Sequence, residues 1–210
     1  MTNRIVALLP MKANSTRVKG KNFRDFCGKP LFRWILDSLL AVDEIDEIVI
    51  NTDAKEILAE NGLVDTDRVT IRERKPEICG DDISMNLVLA DDVENIEADF
   101  YLMTHTTNPL LSAETIKQAI KKYKEELENG NADSLFTVNK IQTRFYTQDC
   151  KPINHDPDNL IPTQDLEPWY EENSNLYIFT SDSFQKTNAR IGKKPKLFIT
   201  LIALSMRLEK

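Results

Sequence analysis

The chain has 210 residues, 41% hydrophobic and 29% charged, with 27 basic side chains against 34 acidic ones and a net charge of −7. Such a balance suits one compact domain over 1–210 and excludes an overall basic footprint for nucleic acid, so any phosphate chemistry must come from a local cluster of cations. Cys27, Cys79 and Cys150 are odd in number and widely spaced, which argues against a disulfide framework or a zinc site, and no run reaches the ~18 apolar residues of a membrane span. A soluble cytoplasmic protein with no membrane partner is expected.

Short β-branched runs alternate with longer amphipathic stretches, the pattern of β-α-β units and a mainly parallel sheet. "RIVALLP" predicts a first strand buried on both faces, and "PLFRWILDSLLAV" a helix with Leu31, Trp34, Ile35 and Leu39 at helical spacing. "IDEIVINTD" is the second strand, and a helix from Ala54 to Glu60 stops at Asn61-Gly62. A strand "DRVTIRE", a helix "SMNLVLADDVENI" and a strand "DFYLMT" come next. "SAETIKQAIKKYKEELENG" is the clearest helix, with Ser112 to cap it and Asn129-Gly130 to end it, and "DSLFTVNK" is a further strand. Residues 141–173 then lose periodicity and carry several prolines, so a loop-rich excursion is expected there. "NLYIFT", "SDSFQKTNARIG" and "KPKLFITLIALSM" read as strand, short helix and terminal apolar run.

The segment "LLPMKANSTRVKGKNF" places Lys12, Arg17, Lys19 and Lys21 directly after the first strand. Loops at the carboxyl ends of strands are where open α/β sheets bind ligands, and free backbone N–H groups there meet anions. Ala13, Asn14 and Ser15 permit close approach of the main chain, while Arg17 and Lys21 reach phosphate oxygens as a fork and a point charge. Four cations on a loop equally describe a solvated face. The segment has neither G-x-x-x-x-G-K-[ST] nor G-x-G-x-x-G, which argues against a Walker loop and a dinucleotide fold. In "RERKPEICGDDIS", Lys75-Pro76 fits a surface turn, and Asp81, Asp82 or Ser84 fits a helix cap, with the aspartates favoured for capping. "YLMTHTTNPLL" ends its strand in five consecutive polar residues, as a strand end facing a pocket would.

"LPMKANSTRVKGKNF" followed by "GKPLFRWIL" resembles the signature of the acylneuraminate (CMP-sialic acid synthetase-like) cytidylyltransferases and their deoxy-manno-octulosonate relatives. Those proteins open with a strand, a loop P-A-R-x-x-S-[KT]-[GR]-[IL]-P-x-K, and then G-K-P-[LM]. Lys12 stands at the family's Arg, Ser15 keeps its serine, and Arg17 matches the octulosonate branch. Lys21 with Asn22 matches the acylneuraminate branch, and Lys19 replaces a proline. "INTDA", "RERKPEICGDDIS", "THTTNPLL" and "QDLEPWYEENSNLYIF" resemble later family motifs in the same order.

The resemblance implies a three-layer α/β nucleotide-binding fold whose excursion serves dimerisation. It implies coupling of CTP to an acidic, nonulosonate-type sugar, giving a CMP-sugar and pyrophosphate. Lys12 and Lys21 would be catalytic. Asn14, Ser15, Arg17, Asn22, Arg74, Lys75 and Ser84 would join them in holding the nucleotide. Thr104, His105, Thr106, Gln164, Tyr170, Asn173 and Tyr177 would contact the sugar. A homodimer and Mg2+ are implied as well. The family's metal-holding D-[IV]-D has no counterpart in "LFITLIALSMRLEK", so its protein ligands are not identified, Asp53 and Asp81 are substitutes, and the C-terminus at 199–210 is expected to be atypical, altered or shortened. Three alternatives stay open: a nucleotide-binding protein without turnover, a sugar nucleotidyltransferase using another nucleotide, and a signalling or scaffold domain of flavodoxin-like form with no nucleotide affinity.

Overall fold

A computed structural model describes residues 3–15 and 18–200. Strand β1 (Ile5–Leu8) is buried throughout, and its side chains alternate between two apolar clusters: Ile5 and Ala7 in one, Val6 and Leu8 in the other. A small hairpin, β2 (Asp25–Phe26) and β3 (Lys29–Pro30), leads into α1 (Leu31–Leu40), β4 (Glu47–Thr52), α2 (Lys55–Glu60) and β5 (Val69–Glu73). The chain continues through α3 (Met85–Asn95), β6 (Phe100–Met103), α4 (Ala113–Glu128), β7 (Ser134–Ile141), β8 (Trp169–Phe179), α5 (Ser181–Thr187) and β9 (Pro195–Ile199).

Seven strands form one sheet in the order β5-β4-β1-β6-β8-β7-β9. β5, β4, β1 and β6 are parallel, β9 is parallel to β7, and β8 runs antiparallel to both its neighbours. Phe32 and Ile35 of α1, Leu58 of α2, and Ile116 and Ile120 of α4 pack on one face; Leu89 and Val93 of α3 and Phe184 of α5 pack on the other. The result is the expected three-layer α/β architecture with a mainly parallel sheet.

Two elements depart from the sequence reading. The β2–β3 turn is closed by Cys27 and Gly28, both with positive φ (54° and 93°), a hairpin conformation signalled by no hydrophobic alternation. β8 begins at Trp169, so residues 169–172 of the expected excursion pair with β7, Ile141 opposite Trp169 and Lys140 opposite Tyr170. Glu171 and Glu172 break the apolar pattern there, and main-chain bonding to β7 carries the strand. Of the atypical segment 199–210, Ile199 closes β9 and the Thr200 amide donates to the Val138 carbonyl at 3.0 Å; 201–210 lie outside the described residues.

Candidate active site

The chain passes from β1 to β4 on one side and returns to β6 on the other, so β1 stands where the strand order reverses, the place where open α/β sheets bind ligands. Loops at the carboxyl ends of these strands surround a cavity of ≈ 350 Å³. Lys12, Asn14, Ser15, Lys21 and Asn22 enter it from the first loop, Arg74 from beyond β5, Asp81 and Met85 from the approach to α3, and His105, Thr106 and Thr107 from beyond β6.

The first loop is braced from beneath. The Met11 amide donates to the Asn51 carbonyl (3.1 Å), extending the β1–β4 ladder, and the Ala13 amide donates to Asp53 Oδ1 (2.7 Å). Asn22 spends both ends of its amide on the frame, donating to the Lys12 carbonyl (2.8 Å) and accepting from the Thr106 hydroxyl (2.7 Å). The first loop and the β6 loop are thereby tied together, which accounts for two of the sequence-selected residues as braces of the cavity wall. Lys12 Nζ donates to the Gly80 carbonyl (2.6 Å) and pairs with Asp81 at 3.2 Å. Gly80 holds φ at +122°, where a side chain is strained, and this turn brings its carbonyl to Lys12.

Arg74 is 4% exposed. Its Nε donates to Asn51 Oδ1 (2.9 Å), and its Nη2 donates to the carbonyls of Asn51 (2.7 Å) and Met11 (3.2 Å). Burial pushes this guanidinium below its ordinary value, opposed chiefly by the charge of Asp53. Asn51 donates in turn to Asp92 Oδ1 (2.8 Å), which also accepts from Arg72 (2.5 Å).

The cavity unites Lys12, Asn14, Ser15, Lys21, Asn22, Arg74, His105 and Thr106 of the expected set. The other described members sit elsewhere. Lys75 pairs with Asp91 at 2.5 Å, and Ser84 caps α3 by accepting from the Asn86 amide at 3.3 Å. The cap is therefore Ser84 and not Asp81, which is drawn to Lys12 instead. Thr104 is fully buried and donates to the Asn175 carbonyl (2.6 Å); Asn173 donates to Asn139 (3.0 Å) and Thr200 (2.7 Å). Gln164 and Tyr170 are exposed and line neither cavity described here. Arg17 lies outside the described residues. Met85, which no motif marks, forms part of the wall.

A second cavity of ≈ 330 Å³ shares Met85 with the first and adds Ser84, Asn86, Glu172 and Arg190. Arg190 lies 4.1 Å over the Tyr177 ring, with Nη2 3.2 Å from the Tyr177 hydroxyl and 3.6 Å from Glu172. Tyr177 thus meets this second cavity through Arg190. A lone arginine in "NARIG" gave no signal in the sequence.

The magnesium implied by resemblance needs carboxylate oxygens beside the substrate phosphates. Among the described residues no three histidine, cysteine or acidic groups converge, Asp81 is the one carboxylate lining the first cavity, and it is engaged by Lys12; Asp53 holds the Ala13 amide. These residues do not form a protein site for the ion. Nor is any described helix long and apolar enough to cross a membrane.

A cation-lined cavity at the reversal point of a mainly parallel sheet is the arrangement of an α/β protein suited to anionic ligands. A family model described as cytidylyltransferase matches residues 6–198, and the chain belongs to that family. It is 27% identical over 124 residues to the 3-deoxy-manno-octulosonate cytidylyltransferase of Christiangramia forsetii, a match spanning 59% of this chain and about half (47%) of that relative. It is 27% identical over 189 residues to the CMP-N,N'-diacetyllegionaminic acid synthase of Legionella pneumophila, covering 85% and 78% of the two chains. The pseudaminic acid cytidylyltransferase of Campylobacter jejuni is 24% identical over 190 residues, covering 85% and 79%. In fold, the chain is similar to a CMP:2-keto-3-deoxy-manno-octonic acid synthetase complexed with CTP, with a TM-score of 0.65, 15% identity, and coverage of 94% and 90%.

Proposed function

We propose that this protein couples CTP to an acidic, nonulosonate-type sugar, releasing pyrophosphate. The observation that carries this reading is the pair of cavities sharing Met85: the first is lined by Lys12, Lys21 and Arg74, and the second by Arg190, Glu172 and Asn86. A triphosphate fits the first by charge. A carboxylated polyol fits the second, where a guanidinium serves the acid and amide and carboxylate groups serve the hydroxyls. The anomeric hydroxyl oxygen attacks the α-phosphorus, a new P–O bond forms, and the bond to the bridging oxygen of pyrophosphate breaks while the hydroxyl proton passes to water. Such a transfer asks the protein chiefly for in-line positioning and for cations facing the charge on the leaving group. Lys12 and Lys21 have that role, and Asn14 and Ser15 align the nucleotide; His105, on the wall of the first cavity, meets the sugar at its reacting end.

In this reading the protein acts in the cytoplasm as a homodimer. Support comes from the large apolar side chains exposed in and beside the excursion, among them Tyr146, Leu160, Trp169 and Tyr170, which suit a subunit contact. The test is pyrophosphate release from CTP and Mg2+ with a panel of 3-deoxy-manno-octulosonate, pseudaminic acid and N,N'-diacetyllegionaminic acid. Release with one of these acids, and with CTP above UTP, GTP and dTTP, is expected. CTP binding without release from any acid would favour the nucleotide-binding protein without turnover, and preference for another base would exclude a cytidylyltransferase.

A further inference from the structure

We propose that Asp92 is a positioning residue for the nucleotide cavity: as an acceptor-only carboxylate it fixes the Asn51 amide, which in turn holds Arg74 with one terminal nitrogen turned to the ligand. Asp92 and Asn51 are fully buried, and Arg74 is nearly so. Asp92 Oδ1 takes the Asn51 Nδ2 donor at 2.8 Å, so Asn51 Oδ1 must face the other way, and there it meets Arg74 Nε at 2.9 Å. An ionised carboxylate accepts and never donates, whereas an amide does both. Placed at Asp92, an amide would let Asn51 turn over and set its NH2 against the Arg74 N–H, two donors facing each other. The Asn51 and Met11 carbonyls take Nη2, so among the described contacts Nη1 is the donor left for the cavity that Arg74 lines.

Stability does not account for the arrangement. Asp92 Oδ2 is buried with no hydrogen-bond partner, a costly state that calls for a reason. Burial raises the carboxyl to about 6, against the pull of Asn51 and Arg72. The groups facing it are Asn51 from β4, Arg72 from β5 and Asp91 from α3, and Asp91 is itself paired with Arg72 (3.1 Å) and with Lys75. Asp92 touches none of the residues expected to meet phosphate, so its influence passes through Asn51 and Arg74.

This assignment rests on the first cavity's being the CTP site. Calorimetric titration of CTP into the wild type and Asp92→Asn, at pH 7.5 and at pH 5, tests it. Asp92→Asn should bind CTP about tenfold more weakly, the scale of one misdirected hydrogen bond to a charged group. Wild-type affinity should also weaken more than that of the Asp92→Asn variant as pH falls from 7.5 to 5, a comparison in which titration of CTP itself cancels. Unaltered affinity in folded Asp92→Asn, or an equal loss of affinity on acidification in both proteins, overturns the proposal. Should Asp92→Asn fail to fold, Asn51→Ala replaces it: a loss of similar size supports the relay and wild-type affinity refutes it. Absence of CTP binding in the wild type overturns the function proposed above, and a difference between variants is then not expected.

Discussion

Buried Asp92 should leave a signature in the pH dependence of stability. The folded protein holds its proton with a pKa of about 6, against an ordinary 3.8 in the unfolded chain. Because the folded state binds this proton more tightly, the contribution of Asp92 is fully present below pH 3.8 and is lost as pH rises through about 6. The gap between the two values corresponds to on the order of 3 kcal/mol. Asp92→Asn removes the titration, so its stability relative to wild type should rise by about that amount between pH 3.5 and 7.5, where those pH values are roughly the ends of the linkage window. Glu126, held down at about 2 by Lys122 and Lys196, acts with the opposite sign below its ordinary 4.5, but it is common to both proteins and drops out of the difference. Urea unfolding of both proteins at intervals across this range measures it. A difference in unfolding free energy that stays constant within about 0.5 kcal/mol across the range would refute the reasoning, since about a third of a pH unit of pKa gap is then all that remains.

Lys21→Ala should weaken CTP binding by roughly 10- to 100-fold, as loss of a charge-assisted phosphate contact does, and calorimetry showing unchanged affinity would displace the triphosphate from the first cavity. Arg190→Ala should raise KM for the sugar acid while leaving CTP affinity within about twofold, since a lost ion-pair contact to one substrate leaves the other's site intact; equal effects on both substrates would contradict separate cavities. Gly192→Ala places a Cβ 2.2 Å from Asp133 Oδ1 and 2.5 Å from the Ser183 hydroxyl. Asp133 accepts the Lys193 and Lys194 amides at 2.8 and 3.0 Å, so the clash should cost about 2 to 4 kcal/mol, read as a lower urea midpoint at unchanged slope.

Much of the architecture is legible in the sequence because it is written in local periodicity. The unbroken apolar run of Ile5 to Leu9 can only be a strand covered on both faces, and the 3.6-residue stripe of α4, capped by Ser112, can only be a surface helix. The cationic loop after β1 is likewise legible, since sequence adjacency to a buried strand's carboxyl end places Lys12, Asn14, Ser15 and Lys21 at one rim. Tertiary structure alone decides what each polar residue does once there. Asn22 and Thr106, 84 positions apart, are joined by a hydrogen bond. Asp81 serves Lys12 where local pattern favoured a helix cap, and Arg190 lies over the Tyr177 ring. Hydrogen bonds and ion pairs are short-ranged and depend on which strands become neighbours, and strand order is a property of the folded chain that hydrophobic period does not encode.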